Sequence, residues 1–323
     1  MTETAKFSTP QQFAANAAQK LLKAGMNVNA LRTNGLLRKE EWVELDREVV
    51  SIARARLIGI ADLQALGLTQ PLGGLGTLIS QYEAESDMTP ANIDMSGVAR
   101  GEEDDQEFDL RSVPIPIVHK DFRINIRRLE ASRRLGDSID TTQAGTASRR
   151  VSDGLEGMLF RGAGVTVQGN TIYGYTSHPD RNTGTAVGVW STIANIYPTV
   201  LDMVKKAHAD HMYGPYMLYV AGDVWPDLLA VHDDGSGQTA LDRVKRIPNL
   251  RDVKAADELP DGNLVLVQMT KSVVDLAIAQ DIATVEWQTE GGMVTNFKVM
   301  AAMAPRLKSD YDGRCGIVHY TGA

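Results

Sequence analysis

Apolar residues recur at helical spacing over Lys39–Ala61. Trp42, Leu45, Val49, Ile52, Leu57 and Ile60 fall three to five residues apart, and Glu40, Glu44, Arg47, Glu48 and Arg54 fill the other face. The pattern predicts an amphipathic helix that needs a partner surface. The run GLTQPLGGLG follows, with four glycines between Gly67 and Gly76, and it reads as a bend before a strand over Thr77–Glu85. About twenty polar residues then lead to a second extended run, Glu107–Val118, whose Pro114 and Pro116 exclude a fully paired central strand. A long helix is predicted over Asp140–Gly162. Asp140 and Gln143 form a variant capping box, Ala144, Ala147, Val151, Leu155 and Met158 make one face, and Gly162 is the stop. Gly145, Gly154 and Gly157 inside it each cost up to about 1 kcal/mol relative to Ala, so packing must hold this helix.

Two glycine-rich turns, RGAGVTVQGN and YGYTSHPDRNTG, come next. Beyond them the periodicity alternates: helix over Ser191–Met212, strand over Tyr216–Ala221, short helices over Asp223–Val231 and Thr239–Arg246, and strand over Asn263–Met269. Ala283–Thr289 and Met293–Ala302 read as a hairpin across Gly291-Gly292. The layout is α+β, with no internal repeat and no regular βαβ series.

The segment between the first two extended runs changes the picture. From Glu102 to Asp109 it carries six acids and no base. Two extended arms around a long, charged, coreless loop do not stabilise themselves in isolation. A hairpin lying on a neighbouring subunit solves that problem. A calcium-binding acidic loop is the alternative, although the D-x-D-x-D-G spacing is missing.

Composition narrows the function. With 323 residues and 43% hydrophobic content the chain can bury a sizeable core, and no apolar run reaches the 18 residues of a transmembrane helix. The start, MTETAKFSTPQQFAANAAQ, lacks the apolar stretch of a secretory signal. One cysteine, Cys315, rules out an internal disulfide and fits assembly in a reducing cytoplasm. The formal charge is −8, but it is uneven: residues 1–39 hold six bases against one acid, a net +5 that leaves −13 elsewhere. That arm can meet an anionic partner or stay solvated.

No catalytic set emerges. The glycine run has neither the dinucleotide nor the P-loop spacing, and no G-x-S-x-G or H-E-x-x-H string is present. His208 and His211 share a helix face but have no third ligand nearby in sequence. Asp233-Asp234-Gly-Ser-Gly reads as a turn. The reading is non-enzymatic, with no cofactor and no metal.

The stretch SVPIPIVHKDFRINIRRLEASRRLGDSIDTTQAGTASRRVSDGLEGMLFRG, Ser112 to Gly162, resembles the middle of tailed-phage major capsid proteins, and more narrowly the branch related to encapsulins. The strings that carry it are Lys120-Asp121-Phe122, Leu129–Arg134 and Phe160-Arg161-Gly162. IYGYTSHPDRN (Ile172–Asn182) and EEWVELDREVVSIARARLIG (Glu40–Gly59) extend it over roughly residues 38–182.

The resemblance implies the Hong Kong 97-type capsid fold. It gives an N-terminal arm (1–38), an N-terminal helix region (39–76), an extended loop or E-loop (77–111), a peripheral domain with a long spine helix (112–187 and 284–323) and an axial domain (188–283). It implies pentamers and hexamers closing an icosahedral phage head, assembled in the bacterial host's cytoplasm and enclosing double-stranded DNA held by non-specific contacts. Partners would be a portal, a separate scaffolding protein and a decoration protein, with no membrane. An encapsulin-type nanocompartment around a cargo enzyme is the alternative. Inter-subunit contacts are expected between the acids Glu102, Glu103, Asp104, Asp105 and Glu107 and the bases Arg127, Arg128, Arg133 and Arg134.

Overall fold

The computed structural model describes residues 39–323 apart from 87, 89–92, 94, 96–104, 128–140, 232–236 and 291–292. The predicted first helix is two helices, α1 (Lys39–Arg56) and α2 (Gly59–Ala65), broken at Leu57-Ile58. Leu45, Val49 and Ala53 form its buried stripe. That stripe lies on the spine helix α3 (Thr142–Arg161), which buries Ala144, Ala147, Val151, Leu155, Met158 and Leu159. Gly145 explains the tolerated glycine, because a Cβ there would stand 2.7 Å from Ile52 Cδ1. The helix stops at Gly162, whose φ of +87° favours glycine. The N-cap is Thr141, without a side-chain cap bond, and the expected capping box rests on Asp140, which lies outside the described residues.

Among the described residues the strands form four β units. A four-stranded sheet has the order β1 (Thr69–Pro71), β11 (Val274–Thr289), β12 (Val294–Leu307) and β4 (Ile117–Asn125). Here the predicted hairpin around Gly291-Gly292 runs well past its expected ends, and the glycine run contributes β1, which pairs in parallel with Leu276–Ile278. A five-stranded sheet has the order β7 (Asn182–Thr185), β13 (Ile317–Thr321), β10 (Asn263–Gln268), β8 (Tyr216–Ala221) and β9 (Leu250–Ala256). Its centre, β8 and β10, is buried throughout, and α4 (Ile196–Ala209) packs Ile196, Val200, Met203 and Ala207 into the same core. Two short helices, α5 (Trp225–Leu228) and α6 (Ala240–Val244), complete this lobe, the second with a capping box between Thr239 and Asp242.

Two ribbons project from the sheets. One pairs β2 (Ile79–Glu85) with β3 (Phe108–Pro114). The other pairs β5 (Gly162–Val167) with β6 (Asn170–Tyr173), where the sequence read only a glycine-rich turn. Its two-residue corner, Gln168-Gly169, has both φ values positive, the geometry that matches strand twist in a tight hairpin.

Candidate assembly surfaces

Leu78, Phe108 and Leu110 on and beside the β2–β3 ribbon are more than half exposed. Two strands do not support themselves, so what holds the ribbon is informative. The end of β12 and the residues after it run alongside β2 and fasten it at each step. Arg306 Nη1 donates to Ser80 Oγ at 3.1 Å, and Tyr82 Oη donates to the Leu307 carbonyl at 2.9 Å. Arg111 Nη1, opposite Tyr82, donates to Ser309 Oγ at 2.5 Å. The Tyr311 amide donates to the Glu85 carbonyl at 3.3 Å. Arg306 is itself fixed by a two-pronged pair with buried Asp275, 2.6 Å at each oxygen, with Lys308 at 2.7 Å. The root of the extended loop is therefore anchored by its own subunit, a support that sequence reasoning missed.

The turn Ser177–Asn182 continues this network. Ser309 Oγ donates to Asp180 Oδ2 at 2.5 Å, with Arg111 Nη1 3.6 Å from the same oxygen. On the turn's other side Arg181 Nε donates to His319 Nδ1 at 3.3 Å, and the remaining ring nitrogen of His319 meets Asn263 Oδ1 at 2.9 Å. Burial, then the Arg181 charge, push His319 down to about 4, so the ring is neutral and can accept. Asn182 Nδ2 donates to Asp210 Oδ2 at 2.6 Å.

A second polar centre joins the helices to the five-stranded sheet. Glu156, 4% exposed in the C-terminal third of α3, accepts the amides of Ile58 at 3.1 Å, of Gly59, and of Ile60 at 3.4 Å. These are free donors at the start of α2, which explains the break in the helix: the cap comes from another helix. A Cβ on Gly59 would stand 2.7 Å from Leu159 Cδ2. Beside it, Asp62 accepts from Tyr219 Oη at 3.0 Å and from Lys254 Nζ at 2.5 Å. Burial outweighs the three amides and pushes Glu156 up to about 7.

Of the nine charged residues expected at contacts, Glu102, Glu103, Asp104, Arg128, Arg133 and Arg134 lie outside the described residues. Asp105 and Glu107 are exposed at the outer end of the ribbon, near Tyr311. Arg127 is exposed just beyond β4, which pairs with the opposite end of β12. That strand has 14 residues, roughly 45 Å. Among the described residues, the subunit therefore sets Asp105 and Glu107 apart from Arg127.

The remaining candidates have structural surroundings. His211 Nδ1 lies 3.2 Å from Tyr213 Oη, and His208 packs on the Tyr213 and Tyr216 rings. Cys315 is buried, and its thiol is pushed up to about 12. Asp233-Asp234 lies outside the described residues. Among the described residues no three His, Cys, Asp or Glu side chains gather as metal ligands, and no helix is long and apolar enough to cross a membrane.

This architecture matches solved shells. The capsid of Myoviridae phage XM1 superposes with a TM-score of 0.62 at 11% identity, covering 82% of this chain and 92% of that one. The type 1 encapsulin shell protein EncA of Myxococcus xanthus (strain DK1622) is 24% identical over 277 residues, 84% of this chain and 90% of the relative. The diheme-cytochrome-encapsulin shell fusion protein of Kuenenia stuttgartiensis is 26% identical over 272 residues, 84% of this chain and 71% of the relative. Fold and relatives together define an encapsulin-related shell protein of the Hong Kong 97-type capsid fold. The chain belongs to a family of unknown function (DUF6260), whose model matches residues 29–320.

Proposed function

We propose that copies of this chain close as pentamers and hexamers into the icosahedral head of a tailed bacteriophage, enclosing double-stranded DNA, and that the chain is not an enzyme. The observation that carries the assembly reading is the β2–β3 ribbon. It is held along β2 by the end of β12 and the residues after it, while Phe108 and Leu110 stay more than half exposed among the described residues. Interfaces of this kind, repeated around five and six subunits, close a finite shell instead of a fibre. The five domain ranges drawn from the sequence are part of the proposal. Strands from both sides of residues 188 and 284 share sheets, so hydrogen bonding defines the lobes better than continuous segments do. The acids Glu102–Asp105 and Glu107 would meet Arg127, Arg128, Arg133 and Arg134 of a neighbouring copy. A portal, a scaffolding protein and a decoration protein are the expected partners.

A nanocompartment around a cargo enzyme is the second reading, favoured by the likeness in sequence to two encapsulin shell proteins. Electron microscopy of the purified chain, with its 260/280 absorbance ratio, tests both. Large closed particles support the head, and small uniform ones with a co-purified protein support the compartment. A chain that stays monomeric even with scaffold and portal supplied overturns both. Neutralising Glu102–Asp105 should weaken assembly and its salt sensitivity; particles as salt-resistant as the parent's would remove these acids from the interface.

A further inference from the structure

The Ser177–Asn182 turn binds in two directions. Arg181 and Asn182 hold it to the five-stranded sheet and its neighbouring helix through His319, Asn263 and Asp210. Asp180 points the other way and receives Ser309 and Arg111. We propose that Asp180, Ser309 and Arg111 form a positioning joint that sets the direction of the β2–β3 ribbon relative to the five-stranded sheet, so that the ribbon's reach toward a second copy of this chain is fixed inside the subunit. The inference deepens the shell reading and rests on it.

Three observations carry the joint. Its bonds are directional: a planar guanidinium and a carboxylate meet on one hydroxyl, and Arg111 is further held by Asp109 at 3.0 Å, so the fork has little freedom to turn. Its centre is enclosed, because Ser309 is 5% exposed and water does not readily replace its partners. Apolar support under the ribbon is confined to Tyr82, Ala84 and Val113 among the described residues. Its outer residues, Phe108 to Leu110, are exposed, so polar contacts carry the direction of that end.

Leverage makes the angle matter. From Arg111, opposite Tyr82, three residues lead to the ribbon's end at Glu85, about 10 Å, so a turn of about 10° at the joint displaces that end by about 2 Å. That displacement breaks a hydrogen bond with a neighbour. Across a ring of copies, the same turn changes the angle at which subunits meet.

The test compares the parent with Asp180→Ala and Arg111→Ala, with Asp180→Asn and Arg111→Lys as conservative variants. In the unassembled chain, hydrogen exchange should run roughly tenfold faster in β2–β3 of the Ala variants while β8 and β10 stay unchanged. In cryo-electron micrographs their shells should differ from the parent in diameter or spread over several diameters, and the conservative variants should fall closer to the parent. Unchanged exchange in the ribbon, or equal acceleration in β8 and β10, overturns the joint. Faster ribbon exchange with shells of parental diameter overturns its role in reach. If the parent makes no shells with scaffold and portal present, the shell reading fails, and the exchange experiment still decides whether the joint holds the ribbon.

Discussion

Replacing Glu156 by Gln separates the charge of the buried cap from its shape. A free glutamate carboxyl titrates near 4.5, and this one is pushed up to about 7 by burial. The folded chain thus keeps a proton that the unfolded chain has released. The stability linked to that proton is complete below pH 4.5 and is lost as pH rises through 7. Integrated from pH 5 to pH 8, the loss is about 2.5 kcal/mol. Gln keeps a carbonyl for the amides of Ile58 and Gly59 but turns an N–H₂ toward Ile60, a pH-independent cost of about 1–2 kcal/mol. The parent should therefore be the more stable at pH 5, and the Gln variant should match or exceed it at pH 8. Urea unfolding of the unassembled subunit, followed by tryptophan fluorescence, measures the gap without the concentration dependence of assembly. A gap of the same size at both pH values would refute the reasoning, because Glu156 would then carry the same charge in both states.

The other expectations concern acid, backbone and surface. His319 is pushed down to about 4, so its contribution is present above pH 6.5 and lost as pH falls from there toward 4; His319→Gln should flatten the thermal midpoint over that window. Overlapping acid limbs would exclude it. Gly162→Ala puts a Cβ 2.8 Å from the Ile172 carbonyl at a φ of +87°, and the subunit should lose about 3 kcal/mol or more, read as a fall in denaturation midpoint. Phe108→Asp combined with Leu110→Asp should leave that midpoint unchanged and abolish particles in size-exclusion chromatography. Normal particle yield would show that this face is not buried on assembly.

What the sequence made legible follows from range. The spine helix, its glycine stop and the buried strands β8 and β10 rest on local periodicity and turn chemistry, and all are found. The break at Leu57-Ile58 was hidden because its cause is Glu156, 97 residues away from Gly59; the local clue was an acid set among the apolar residues Leu155–Phe160. β11 was read too short because shifts at Ile278/Gln280 and Gln280/Ala283 interrupt the alternation that marks a strand. Gln168-Gly169 was a hairpin signal with a less usual first residue, and it passed as a loop. The ribbon's anchors were invisible for the same reason as the cap. Asp180 lay inside a recognised string, but nothing local says that it meets Ser309, 129 residues on.

The distance between Arg111 and Ser309 also sets an order of events during synthesis. The ribbon leaves the ribosome 198 residues before the serine that fastens it, roughly 10–40 s earlier at ordinary elongation rates. Through that interval the nascent chain has the exposed Phe108 and Leu110 without the bonds that aim them. On a polysome crowded with identical chains, the arm that would bind a neighbour thus stays without its fastening until Ser309 has emerged, and association is deferred until then.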